Sequence, residues 1–274
     1  MNDTFNFKRF WTYFKYDLKQ MWRNHSKAAM LIGGASAIFY ILWVMFSLVF
    51  AQRWTSPLLP VRVVVLFIAF AILELYQVRT YGHLTDKKAG SAWLMVPASR
   101  LEKYLSMLLI TLIVIPFLFF AVYFILDGIL SLVDPTYGTA LFTGFMGAYR
   151  QILDVLSTVG NASPITLTPS NLLFPMIVSF FCNFLYFLLC GICFKKNKLV
   201  IAIAILFGVS ILLSLVSGVI VPLILLKDGT LVELSEEQLL HWTTGVMNAT
   251  VALTCLLTVG LGWGVWRRIK TLQH

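Results

Sequence analysis

The sequence predicts an all-α polytopic membrane protein with six transmembrane helices, both ends on the same side, and an N-terminal amphipathic helix lying in the membrane interface. Three observations carry this. Hydrophobic residues make up 59% of the chain and charged residues 12%, and mean hydropathy is +0.85; soluble domains run at about 45–50% and about 25%. The apolar residues gather in runs long enough to cross roughly 30 Å of hydrocarbon. Finally, 17 of the 21 Lys and Arg fall on the polar segments that a six-span, N-inside, C-inside layout places together, leaving only Arg53, Arg62, Arg150 and Lys227 outside. Lys and Arg collect on the cytoplasmic side, so five or seven spans would strand one basic end. The net charge of +9 is explained by this bias and calls for no nucleic acid. No polar stretch is long enough for a soluble domain, and residues 1–274 read as one membrane domain.

The first element is the basic, aromatic segment 5–23. Phe7, Phe10, Trp11, Phe14, Leu18, Met21 and Trp22 fall at helical spacing on one face, and Lys8, Arg9, Lys15, Lys19 and Arg23 occupy the rest. Such a helix lies in the interface rather than spanning it, anchored by Phe7, Phe10, Trp11, Phe14 and Trp22. The segment lacks the cleavage pattern of a signal peptide, so the N-terminus is expected to be retained. Spans follow at about 28–51, 61–78, 104–133, 172–194, 199–226 and 243–266. Pro116 is a candidate kink in the third. Residues 134–171 form an outer loop in which Leu141, Phe145, Ala148, Ile152 and Val155 are spaced as in a helix. An acidic loop, 227–242, precedes the last span. No internal repeat is visible.

Catalytic chemistry finds little support. The sequence contains no G-x-x-x-x-G-K-[ST], H-E-x-x-H or G-x-S-x-G. The four His lie in unrelated segments. Cys190 and Cys193 form a C-x-x-C without the second pair that a four-ligand metal site needs, and the four cysteines all sit in apolar runs. No catalytic, metal or cofactor residue is assigned. Glu74 and Asp127 are ionisable residues near opposite ends of spans and are expected to reach an interface. The small residues Gly33, Gly34, Gly260, Gly262 and Gly264 allow close helix approach, within the chain or between copies.

The polar island between spans two and three, 80–106, is longer than a linker requires and holds apolar residues among charges. Ser99 followed by Glu102 is a capping-box pattern for a helix beginning near Arg100 and running into span three. Leu94-Met-Val-Pro-Ala-Ser-Arg-Leu-Glu-Lys-Tyr-Leu-Ser106, preceded by Lys87-Lys88-Ala89-Gly90, resembles the corresponding loop of bacterial ABC-2 type transporter permeases, approximately K-x-G-x-x-x-L-x-L-P-A-S-x-x-E-K-x-x-S. The match is confined to 87–106, and Val96 stands where that pattern has Leu. Many members of the family carry their main extracellular element between spans five and six, whereas here the longer outer loop lies between spans three and four.

The resemblance implies a permease subunit of an ATP-driven exporter in the bacterial cytoplasmic (inner) membrane. It would pair with a second permease, identical or not, and dock a separate ABC ATPase subunit through a coupling region at 80–103. The docking residues would be Asp86, Lys87, Lys88, Trp93, Pro97, Ser99, Arg100, Glu102 and Lys103. No cofactor is expected in this chain, and its other partners would be membrane lipids. The alternatives are a non-transporting membrane scaffold or sensor accessory that docks a partner through the same loop, and an intramembrane enzyme, which lacks any nucleophile–base or metal constellation.

Overall fold

A computed structural model describes residues 5–86, 90, 91, 93, 95–160, 169–227, 230, 231 and 236–271. The first helix, α1 (Phe7–Gly33), begins at Asn6, whose side chain accepts from the amides of Lys8 and Arg9. It runs without interruption through the expected junction between interfacial helix and first span. The break comes later, at Gly34, where the chain bends by 44° into α2 (Ala35–Phe46) and a π-helical turn, Ser47–Ala51. The glycine pair accounts for its position. A Cβ on Gly33 would lie 3.0 Å from the Val122 side chain, and one on Gly34 would lie 3.0 Å from the carbonyl of Met30.

The second span is α3 (Leu59–Thr80), with Pro60 in its first turn, where the missing N–H costs nothing. A short 3₁₀ turn, Gly82–Thr85, follows. The third span is built from α4 (Arg100–Leu109), a π turn (Ile110–Val114) and α5 (Ile115–Val133), together 34 residues. Pro116 has no amide to donate back into the preceding turn, and the widened turn lies just ahead of it. The helix expected inside the outer loop is α6 (Leu141–Gly160); residues 161–168 lie outside the described residues. Then come α7 (Pro169–Cys193), α8 (Lys198–Leu225), a two-residue antiparallel pairing of Leu226–Lys227 with Thr230–Leu231, and α9 (Glu236–Thr271).

Among the described residues, four helical stretches are long and apolar enough to cross a membrane: Leu59–Thr85, Arg100–Val133, Phe174–Cys193 and Asn248–Thr271. The bent pair α1–α2 makes a fifth if counted as one span. α8 is 28 residues long, and the apolar stretch described within it is Lys198–Leu212. The bundle centres on α7, which packs on both α3 and α9, while α1 lies along α5 and α4. Leu73, Met107, Ile110, Phe184 and Leu188 are completely enclosed. The outer surface is apolar as well, with Phe50, Leu132, Leu256 and Val259 all more than 70% exposed. An apolar exterior around an apolar core suits hydrocarbon rather than water as the surrounding medium. The architecture is that of a helical bundle fit for multiple membrane crossings.

Small residues are used inside the chain. Gly262 and Gly264 of α9 approach Tyr104 and Leu189, and Tyr104 donates to the Gly262 carbonyl at 3.0 Å. Gly191 of α7 faces the backbone of α3, where an added Cβ would stand 2.5 Å from the Val78 carbonyl oxygen. The neighbouring Cys190 is buried with Val78, Phe187 and Ala202, so the C-x-x-C segment forms part of a close helix crossing. All four cysteines are free thiols.

Candidate functional site

The candidate site is the connection between the second and third spans. Ser99 is extended and caps α4: its hydroxyl accepts from the Glu102 amide at 3.2 Å, and Glu102 Oε2 accepts from the Ser99 amide at 2.9 Å. This is the reciprocal capping box that the Ser-x-x-Glu spacing predicts. Glu102 does more than cap. Its Oε1 accepts from the backbone amide of Asn6 at 2.9 Å, and Arg9 brings Nε to Oε2 at 2.8 Å and one terminal nitrogen to Oε1 at 2.8 Å. One enclosed carboxylate therefore ties the start of α1 to the start of the third span.

Lys103 points back beneath the loop. Its Nζ donates to the Trp93 carbonyl at 2.8 Å and lies 4.8 Å from the centre of the Trp93 ring. Trp93, Ala98, Ser99, Glu102 and Lys103 are all buried. Of the residues proposed for docking, Asp86, Pro97 and Arg100 are exposed. Trp93, Ser99, Glu102 and Lys103 are enclosed and hold the loop in shape. Lys87 and Lys88 lie outside the described residues. Met95, which the docking set omits, is the most exposed apolar side chain among the described residues of the loop, at 80%.

The aromatic anchors divide in the same way. Phe7, Trp11 and Trp22 are exposed, as expected of side chains meeting lipid headgroups. Phe10 is buried and Phe14 packs against the core. Asp17 shares their inward face, where it accepts from Tyr81 at 3.0 Å and from Ser106 at 2.7 Å. The helical spacing of Phe10, Tyr13, Asp17 and Met21 contains this signal, because it places a carboxylate within an apolar stripe.

Two further basic side chains converge on this end. Lys198, at the start of α8, donates to the Gly82 carbonyl and, at 2.6 Å, to the Thr85 hydroxyl. Arg268 donates from Nε to the Ile192 carbonyl at 3.2 Å. The α1 N-terminus, the 82–103 connection, the turn after α7 and the end of α9 thus meet at one basic end of the bundle. Between α1 and the loop runs a groove of about 710 Å³, with Lys8, Arg9, Thr12 and Tyr16 on one wall and Val96 and Pro97 on the other.

The opposite end is held by two carboxylates. Asp127 and Arg62 form a two-oxygen ion pair at 2.7 and 2.8 Å, with both side chains enclosed. Arg62 also donates to the carbonyls of Tyr137 and Thr139 and stacks 3.8 Å from the Tyr137 ring centre. Asp127 accepts in addition from the Tyr137 hydroxyl and the Leu141 amide. It does not reach an interface, as its place in the sequence suggests, because its partner is brought to it by α3. Burial pushes the Tyr137 hydroxyl well above the ordinary tyrosine range, and the Asp127 charge adds to this. Asp134 accepts from Tyr40, Trp54, Ser56 and Thr136. Burial opposes its ionisation, but donors from Ser56, Thr136 and Tyr40 prevail and hold it well below the usual carboxylate range.

Among the described residues there is no group of three or more His, Cys, Asp or Glu side chains placed to hold a metal. No protein-family model, curated protein or solved structure matches this chain.

Proposed function

We propose that this chain is the membrane-spanning permease subunit of an ABC-2 type exporter, with six spans, both termini cytoplasmic, and a separate ATP-binding subunit docked at the basic end. The observation that carries the proposal is the construction of the 82–103 connection. Its interior residues fasten it at once to α1 and to the 34-residue third span, while Asp86, Met95, Pro97 and Arg100 stay exposed and Pro97 lines the basic groove. A partner pressing on Met95 and Pro97 displaces α4 through the capping box and α1 through Glu102. Work done by nucleotide closure in the partner would thereby reach two membrane helices as one rigid unit. The charge bias across the polar segments supports a cytoplasmic location for this end, and a bacterial inner membrane is the setting for such a pair of subunits.

The experiment is co-expression with a candidate ABC ATPase from the same genome, followed by purification and ATPase assay. The expected result is a complex whose ATPase activity exceeds that of the partner alone, and loss of the complex in Met95→Glu and Pro97→Glu with the permease still folded. Assembly without any change in ATPase activity would favour the scaffold reading, and assembly untouched by both substitutions would overturn docking at this loop.

A further inference from the structure

The carboxylates of the bundle differ in how they are satisfied, and one of them stands apart. Asp127 has Arg62, Glu102 has Arg9, Asp134 has four side-chain donors and Asp17 has two hydroxyls. Among the described residues Glu74, in the interior of α3, has one long hydrogen-bond contact, from the amide Asn183 Nδ2 to Oε1 at 3.4 Å. Among the described residues no Lys, Arg or His pairs with it. An ionisable side chain within a membrane helix is costly unless it serves a partner.

Glu74 and Asn183 line one cavity of about 620 Å³ between α3, α5, α6 and α7, whose other walls are chiefly phenylalanine. Phe70 stacks on Phe120 at 5.8 Å and on Phe180 at 5.6 Å, and Phe120 stacks on Phe124 at 5.8 Å. At the rim Phe67, Phe145 and Met176 are exposed on the apolar outside of the bundle, so the cavity opens where lipid would be. Its volume falls within the roughly 300–1,000 Å³ of small-molecule sites, which are mostly apolar with a few orienting polar groups. Aromatic faces attract cations. Rings and carboxylate here select the same ligand charge.

We propose that this cavity binds a hydrophobic cation, its apolar body against Phe70, Phe120 and Phe180 and its positive head at Glu74. The ligand class is defined by that charge and body, which an amphiphilic molecule entering from the bilayer and the ammonium head of a phospholipid both supply. Under the exporter reading this is where a cargo would sit, but binding to the protein alone is what the site requires, so the inference stands or falls without a partner ATPase.

The test is binding of radiolabelled tetraphenylphosphonium to the full chain in nanodiscs, with empty nanodiscs subtracted. Saturable binding is expected, weakened at least about tenfold by Glu74→Gln and by Phe180→Ala and largely kept by Glu74→Asp. Thermal stability and elution profile are recorded for each variant to show that it is folded. Tetraphenylborate, the same shape with the opposite charge, is expected to show no dependence on Glu74 in a separate titration. Nanodiscs of phosphatidylglycerol alone and with added phosphatidylethanolamine identify the source of the cation. Weaker binding in the second assigns the resident ligand to lipid and equal binding to a non-lipid cation, and either outcome supports recognition of a positive head. Equal tetraphenylphosphonium affinity in wild type and Glu74→Gln would overturn the proposal. So would photocrosslinking from position 176 into a second copy, which would show that another subunit covers the cavity.

Discussion

Replacing Asp127 with Asn tests how the end opposite the 82–103 connection is held. The carboxylate accepts two bonds from Arg62, one from Tyr137 and one from the Leu141 amide, all within 2.9 Å. Asn keeps the shape but substitutes an N–H₂ donor for one acceptor, and leaves the Arg62 charge without a counterion at 2% exposure. Breaking one partner out of a buried pair costs about 3–5 kcal/mol. Arg62 retains the carbonyls of Tyr137 and Thr139 and the Tyr137 ring, which favours the lower end, about 3 kcal/mol. At about 2–4 °C per kcal/mol for a chain of this order of size, Tm should fall on the order of 10 °C. The assay is thermal unfolding in detergent followed with a thiol-reactive fluorogenic dye, since Cys190 is only 5% exposed in the folded bundle. The companion variant is Arg62→Met with Asp127→Leu. Exchanging a whole buried pair for apolar residues is often neutral or better, and among the described residues Arg62 Nε already lacks an acceptor, so the double variant should recover most of the loss. A single variant within about 1 °C of wild type, or a double variant less stable than the single, would refute this account.

Other outcomes follow from the same contacts. Ser99→Ala removes the hydroxyl that caps α4 and should cost about 1 kcal/mol, measurable in the same thermal assay. Glu102→Gln frees the start of α1 from the third span, so hydrogen exchange should quicken at amides 6–13 while those of 115–123 stay protected. Gly191→Ala drives a methyl to 2.5 Å from the Val78 carbonyl; forced overpacking costs roughly 1–3 kcal/mol, and Gly260→Ala, where the space is open, is the matched control that should leave Tm unchanged. Asp134 is held below the usual carboxylate range, so its ionised form adds stability that is complete above the unfolded value of about 4 and is lost as pH falls toward the depressed folded value. Asp134→Asn should flatten that part of the acid side of the Tm–pH curve.

What was legible in the sequence is what acts over short distances or by composition. Ser99 and Glu102 are three residues apart, and the capping box follows from local backbone geometry alone, so it appears as expected. The helical layout follows from apolar runs that only lipid would solvate. Illegible were the partners chosen by packing. Arg62 and Asp127 are 65 residues apart, and each alone resembles a charge at the end of a span. Glu102 meets Arg9 across 93 residues, so a residue that reads as a surface charge is enclosed. The bend illustrates the same limit: the change from polar to apolar sequence near residue 24 suggests an elbow there, but composition does not break a helix. The backbone turns ten residues later, at Gly34, beside the site where Gly33 fits against Val122. For the 82–103 connection, then, local pattern locates the start of α4, whereas tertiary contact decides which side chains remain exposed. With Trp93, Ser99, Glu102 and Lys103 committed to holding the loop, the docking proposed here would fall, among its described residues, to the exposed Asp86, Met95, Pro97 and Arg100.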